Sequence, residues 1–263
     1  MAVMKVGWIG LGGIGSNMAA RVLGAGHELT AYARGAGQAA TAEKGARLVP
    51  DYVEIAAGCD VLGVCVFSDA QAREALIDSG ALAAMRPGAV LAVHTTGSPA
   101  FARELGALAP AGVEVLDACF SGGPDDTARG ELTLMVGGNA AGLEAARPVL
   151  STYANRIHLL GPHGAGQTLK LLNNLLFASN LKQAAEVIEA ATAQGLDPKA
   201  SARVIQESSG SSRAMGLFLN ATPDQMLKAV RHYMVKDVHA AEAAARDSGV
   251  ELSSFAAVLD YFR

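Results

Sequence analysis

Charge is scarce in this sequence. Only 17% of its 263 residues are Asp, Glu, Lys or Arg, 21 basic against 25 acidic, for a formal net charge of −4. The basic residues form no block able to drive counterion release from nucleic acid or to attract anionic lipid, so neither partner is expected. Long apolar runs are missing too, since nothing approaches the roughly 18 uninterrupted residues a bilayer span needs. Cysteine is limited to Cys59, Cys65 and Cys119, an odd number without C-x-x-C or Cys/His spacing, which reads as reduced, structural thiols. The six histidines (His27, His94, His158, His163, His232, His239) include no pair at metal-ligand spacing near a carboxylate, so no metal is expected. No G-x-S-x-G elbow occurs, and Ser121 has no evident base, which counts against acyl transfer. The N-terminus enters a strand pattern almost at once with no cleavable apolar region, so the expected location is cytoplasmic.

What is present is apolar: 51% of the residues, with 30 glycines. That fraction with so little charge excludes disorder, and the length suits one large or two smaller domains. Up to about residue 160, short β-branched runs alternate with Ala-rich stretches, the rhythm of βαβ units and a parallel sheet. Strands are expected at 4–9, 27–33, 61–67, 90–93, 113–116, 132–136 and 156–160, and helices at 13–23, 37–44, 70–77, 99–108 and 140–150. Beyond Gly164 the strand signal stops, and helices are expected at 166–194, 198–206, 223–247 and 253–261. Gly161-Pro162-His163-Gly164 punctuates the change. The expected architecture is α/β: a doubly wound Rossmann-type parallel sheet over 1–162, followed by an all-α substrate and dimerisation domain over 163–263. The helix at 166–194 would run about 43 Å and is apolar on several faces, so it is expected to be buried on more than one side.

Gly10-Leu11-Gly12-Gly13-Ile14-Gly15 matches G-x-G-x-x-G directly after an apolar run and before a helical pattern. The first glycine permits a tight turn, the second lets the backbone approach a pyrophosphate, and the third lets helix pack on strand. Such a helix N-terminus offers N–H groups and a positive dipole end to phosphate, so a dinucleotide cofactor is expected. The second strand ends Ala31-Tyr32-Ala33-Arg34 without the acidic residue that bonds a ribose 2′-hydroxyl. Arg34 carries the charge a 2′-phosphate wants, which favours NADP over NAD, although NAD stays open. At the start of the long helix, Lys170 and Asn174 share a face at i, i+4 while Asn173 points about 100° away. A partly buried Lys can serve as a general acid or base, and by spacing alone a snorkelling Lys is an equal reading.

These motifs together resemble the β-hydroxyacid dehydrogenases, the group containing 3-hydroxyisobutyrate dehydrogenase and tartronate semialdehyde reductase, over nearly the whole chain. Residues 9–19 resemble the family's cofactor loop. Asp117-Ala118-Cys119-Phe120-Ser121-Gly122-Gly123 resembles its substrate loop, Lys170 to Asn174 its catalytic K-x-x-N-N, and Lys236-Asp237 its late K-D pair. The resemblance implies that Lys170 is the acid/base for the substrate oxygen and that Asn174 hydrogen-bonds substrate. It implies that Ser121, Gly122 and Gly123 bind a carboxylate, that Thr96 lies near the cofactor, and that Lys236 contacts the nicotinamide side. Asp237 would belong to the substrate site, orienting Lys236 or Lys170. His94 and His163, close by in sequence, are further candidates to touch substrate.

The chain departs from the family pattern at several positions. Ile14 stands where Met is usual, Cys119-Phe120 replaces a Pro-Val pair, and Ala33 replaces an acidic residue or Asn. Ala229 falls where an aromatic precedes the K-D pair, with Tyr233 or Arg231 as compensating candidates. The chain ends at Arg263, about one helix before the usual C-terminus, so a pocket of altered shape is expected. The reading is an NAD(P)-dependent oxidoreductase, without metal, acting between a small 3-hydroxy acid and its semialdehyde, as a homodimer. The rivals are an imine or other carbonyl reductase on the same scaffold, and a catalytically silent dinucleotide-binding protein. Imine reductases carry Asp or Tyr where Lys170 stands, which weighs against the first.

Overall fold

The computed structural model describes residues 2–32 and 41–262. Of the expected helix at 37–44, residues 37–40 lie outside the described residues, as does Arg34, and residues 41–43 are helical. The chain divides into two compact units, Met1–Lys170 and Leu171–Arg263.

The first unit is built on a sheet in the order β3-β2-β1-β4-β5-β6-β7-β8. Its strands are β1 (Lys5–Ile9), β2 (Glu28–Tyr32), β3 (Arg47–Leu48), β4 (Val61–Val64), β5 (Val90–Val93), β6 (Glu114–Ser121), β7 (Leu132–Gly137) and β8 (Ala154–Gly161). The helices that bear on the site are α1 (Gly15–Gly24), α2 (Tyr52–Ala57), α3 (Asp69–Arg73), α4 (Ala81–Ala84), α5 (Pro99–Leu108), α6 (Pro124–Arg129) and α7 (Ala140–Leu150). Every residue of β4 and β5 is buried, which is why these strands read as continuous apolar runs. Alternate side chains feed two cores: Val90 and Ala92 enter one, Leu91 and Val93 the other.

The structure corrects the expected elements at several points, and β6, expected at 113–116, runs on to Ser121. The pairing of β6 with β7 is antiparallel, not parallel. Only residues 122–131 connect these strands, fewer than the dozen or so that a parallel crossover needs. The strand expected at 61–67 ends at Val64: Cys65 N–H still reaches the Ile9 carbonyl at 2.8 Å, but the donors after it turn to side chains, Val66 N–H to Thr95 Oγ1 at 3.0 Å and Phe67 N–H to Gln71 Oε1 at 2.9 Å. The helix expected at 70–77 is α3 followed by a π-helical turn over Glu74–Asp78.

The long helix α8 (Ala165–Ala193) begins in the first unit and continues into the second. The second unit adds α9 (Pro198–Gln206), α10 (Arg213–Leu217), α11 (Pro223–Asp247) and α12 (Ala256–Tyr261). Helix α11 starts with a reciprocal cap, Gln225 N–H to Thr222 Oγ1 at 3.3 Å and Thr222 N–H to Gln225 Oε1 at 3.0 Å. Leu171, Leu175, Ala178, Leu181, Ala185 and Ile188 of α8 line the core with Met234 and Val238 of α11. The expectation of burial on several sides is met on one stripe only, since Leu169, Leu172 and Leu176 are exposed. Among the described residues no helix is long and apolar enough to cross a membrane.

Candidate active site

The glycine loop joins β1 to α1, and its residues divide by what a side chain would meet. Gly10 has φ +97°, and a Cβ there would strike the Cys65 carbonyl, so only glycine fits. Gly15 packs its α-carbon against the Gly10 carbonyl, the close helix-strand approach expected of the third glycine. Around Gly12 and Gly13 the corresponding space is open, as a cradle for a pyrophosphate requires. Ile14 at the N-cap has no side-chain oxygen to offer the first turn. Trp8 Nε1–H donates to the Gly10 carbonyl at 3.1 Å and Gly10 N–H to the Tyr32 carbonyl at 3.3 Å, fixing the loop to the strands. A phosphate group therefore fits the residues present.

Ser121, Gly122 and Gly123 follow at the end of β6, half-buried, with Gly122 at φ +137°. Asn17 Nδ2 donates to the Gly13 carbonyl at 3.1 Å and to the Pro124 carbonyl at 3.5 Å, linking this loop to the glycine loop. Thr127 Oγ1–H closes on the Gly123 carbonyl at 2.8 Å. Thr96 is half-buried in the loop after β5. That loop is tied down on both sides, by Gln167 Nε2–H to the Thr95 carbonyl at 2.7 Å and Gly97 N–H to Gln167 Oε1 at 2.9 Å.

The same Gln167 belongs to the first turn of α8, and Asp117 holds that turn from β6. Its carboxylate is buried and accepts Gly164 N–H and Gln167 N–H, each at 2.9 Å. Burial pushes the Asp117 carboxyl up from the usual carboxylate range, against the pull of these two donors. His163 Nε2 lies 3.1 Å from the Val115 carbonyl, on the segment leading in. Gly166 sits where a Cβ would meet the Asp117 and Met135 carbonyls and the Gly137 nitrogen, all main chain. One turn further on comes Lys170, buried at 8% exposure, its Nζ 5.7 Å from the centroid of the Phe120 ring. Sequence reasoning includes Asp117 only as the first residue of the substrate-loop motif and gives neither Asp117 nor Gln167 a role, because the partners of Asp117 lie 47 and 50 residues on.

In the second unit, Asn174 and Asp237 are both buried and bonded, Asn174 Nδ2–H to Asp237 Oδ2 at 2.6 Å. Asn173 Nδ2–H reaches Asn174 Oδ1 at 3.2 Å, and Lys236 Nζ is 3.1 Å from Asp237 Oδ1. These contacts set which way the Asn174 amide faces. Asp237 is thus placed against Asn174 and Lys236.

His94 is a correction. It is fully buried beneath the sheet, with Nδ1 2.7 Å from the Ala118 carbonyl, Nε2 3.0 Å from Tyr153 Oη, and its ring stacked on Trp8 at 5.7 Å. It is a core residue and not a substrate contact. Burial lowers its pKa to about 4, outweighing the Ala118 carbonyl, so the folded protein holds it neutral at pH values where the unfolded chain binds a proton. Its contribution is therefore whole above about pH 6.5 and lost as pH falls towards 4, a span of about 3 kcal/mol. Urea unfolding between pH 7 and 4 should show a drop that His94→Gln reduces by about that amount. Equal acid sensitivity of the two proteins would refute the assignment.

An open α/β sheet with this glycine loop between a buried strand and an uncapped helix defines a dinucleotide-binding oxidoreductase. Residues 5–161 match the family model described as the NAD binding domain of 6-phosphogluconate dehydrogenase. Residues 164–263 match the one described as NAD-binding of NADP-dependent 3-hydroxyisobutyrate dehydrogenase. The chain belongs to the β-hydroxyacid dehydrogenase family and is an NAD(P)-dependent hydroxyacid dehydrogenase. It is 34% identical to an NAD-dependent L-serine dehydrogenase of Pseudomonas aeruginosa, over 98% of this chain and 91% of that one. The structure of Mycobacterium tuberculosis 3-hydroxyisobutyrate dehydrogenase with L-serine is similar at a TM-score of 0.87 and 29% identity, covering 99% of this chain and 93% of that one. An imine reductase from Myxococcus stipitatus, at 22% identity and a TM-score of 0.68 over 100% of this chain and 93% of that one, shares the fold alone.

Proposed function

We propose that this enzyme interconverts a short 3-hydroxy acid and its semialdehyde, with Lys170 as the acid/base. The observation that carries the reading is Lys170 itself, an amine almost removed from water on a helical turn that Asp117 and Gln167 hold in place. A rigid, desolvated amine is what proton transfer to one chosen oxygen needs. The nicotinamide, when bound, supplies or accepts the hydride. Lys170 Nζ then gives a proton to the carbonyl oxygen in reduction, or takes one from the hydroxyl in oxidation.

Asn174, oriented by Asp237, gives an amide N–H to the substrate. Ser121 Oγ and the Gly122 N–H receive its carboxylate; the Gly123 N–H, also expected there, is taken by Asp126 Oδ2 at 2.8 Å and lines the loop only. Residues Gly10, Leu11, Gly12, Gly13, Ile14 and Gly15 hold the pyrophosphate, with Thr96 and Lys236 toward the nicotinamide. In this reading 1–162 is the dinucleotide-binding domain, which also lends the carboxylate loop, and 163–263 is the substrate and dimerisation domain. L-serine, itself a 3-hydroxy acid and named with two relatives, belongs in the first substrate panel beside 3-hydroxyisobutyrate. Exposed Leu169, Leu172 and Leu176 support α8 as a homodimer contact, to be checked by analytical ultracentrifugation. The cytoplasm is the proposed compartment; burial pushes the Cys59 and Cys65 thiols up to about 12, so they stay protonated there.

NADP is the preferred cofactor in this proposal, through Arg34 and a 2′-phosphate. Arg34→Ala is expected to raise the Kd for NADPH about tenfold or more and to leave NADH nearly unchanged. Titration of both cofactors by fluorescence decides it, and tighter binding of NADH by the unmodified enzyme would reverse the preference. The function itself is tested by cofactor oxidation and reduction across short semialdehydes and 3-hydroxy acids. Tight cofactor binding with no turnover on any of them would favour the silent alternative.

A further inference from the structure

Phe120 stands at a position where the resembling family carries Val, and its ring takes up a place the mechanism above leaves unassigned. It is the next-to-last residue of β6, paired across the sheet with Leu134 of β7 and adjoining Ser121. One side of the half-buried ring packs on the core beneath the sheet. Its face looks toward Lys170, with Nζ 5.7 Å from the ring centroid. An ammonium at that distance from an aromatic face is attracted by the ring's quadrupole, and more strongly where water is excluded, as it is around a Lys at 8% exposure. An aliphatic side chain of similar size would fill the space without that attraction.

We infer that Phe120 is a positioning residue for Lys170, its ring face holding the ammonium at the end of β6 so that Nζ meets the substrate oxygen in one geometry. The inference rests on the proposed acid/base role of Lys170. The ring fixes the head of a long, four-carbon side chain whose stem the helix already anchors. Freedom otherwise left to the last bonds is removed before substrate arrives. The ring touches neither of the transferred atoms, so its effect belongs in kcat and not in substrate affinity.

The experiment compares Phe120→Leu, which removes the π face, with Phe120→Tyr, which keeps it, using the best substrate from the panel. Phe120→Leu should lower kcat about three- to tenfold with KM within about twofold, and Phe120→Tyr should restore most of the loss. In a Lys170→Met background, Phe120→Leu should cause no further loss. Wild-type kcat in Phe120→Leu would overturn the inference. So would an equal loss in Phe120→Tyr, or a Phe120→Leu effect that persists without Lys170. Full turnover in Lys170→Met alone would instead sink the acid/base reading, and this inference with it. Thermal unfolding of each variant separates loss of fold from loss of geometry. A variant too unstable to assay is replaced by Phe120→Met, read in the same way.

Discussion

Lys170→Met should lower kcat by about 10²- to 10⁴-fold while the Kd for the dinucleotide and the fold stay as they were. The size follows from the role: removing a positioned proton donor leaves binding and orientation intact but forces the proton to come from water. Stability should hold or rise, because a Met of similar length replaces an ammonium buried at 8% exposure. Lys170→Arg is the sharper variant. It keeps the charge, but a guanidinium does not give up its proton near neutrality, so oxidation of the hydroxy acid should be lost as fully as in Met. Stopped-flow single turnovers in both directions would measure this, and a Lys170→Met enzyme within threefold of the parent would end the proposal.

Gly166→Ala should destabilise the fold by about 3 kcal/mol, lowering Tm by roughly 10 °C, and should depress turnover in whatever protein remains folded. The added Cβ meets the carbonyls of Asp117 and Met135 and the nitrogen of Gly137, and main chain cannot step aside as a side-chain end would. Relief requires moving the start of α8 away from β6 and β7, which breaks the 2.9 Å bonds from Asp117 and carries Lys170 with it. Gly12→Ala is the contrast, since nothing lies within 4 Å of the place its new methyl would take and Tm should barely change. That methyl would instead occupy the space proposed for the pyrophosphate, so cofactor affinity should fall. Thermal melts and cofactor titrations of the two variants should give opposite patterns, and a Gly166→Ala protein as stable as the parent would contradict the packing described.

Much of the fold is legible in the order of residues alone. Strands β4 and β5 announce themselves because a strand buried on both faces must be apolar throughout. The glycine loop is legible because Gly10 and Gly15 answer steric demands that no side chain could meet. Helix α8 starts and ends within a residue of the expected 166–194, and at 3.6 residues per turn that period alone puts Lys170 and Asn174 on one face. Strand β3, two residues long, and helices α2, α4, α6 and α10, four to six residues long, carry too few positions to show a period. Asp51, which caps α2 through Val53 N–H at 2.8 Å, and Ser212, which caps α10 through Met215 N–H at 3.0 Å, are local signs of missed elements.

Composition, period and glycine chemistry are local properties, and they were enough to determine the class of fold, the dinucleotide loop and the residue types able to move a proton. The tertiary structure decided which polar groups are scaffold and which remain for chemistry. His94 and Lys170 look alike in sequence, each a titratable residue near a motif. Ala118, Tyr153 and Trp8, 24, 59 and 86 residues away, show His94 to be core, while Asp117 and Phe120, 53 and 50 residues before Lys170, hold the helical turn before it and face its ammonium. Burial and partnership depend on residues distant in the chain meeting in space, so no local pattern carries them.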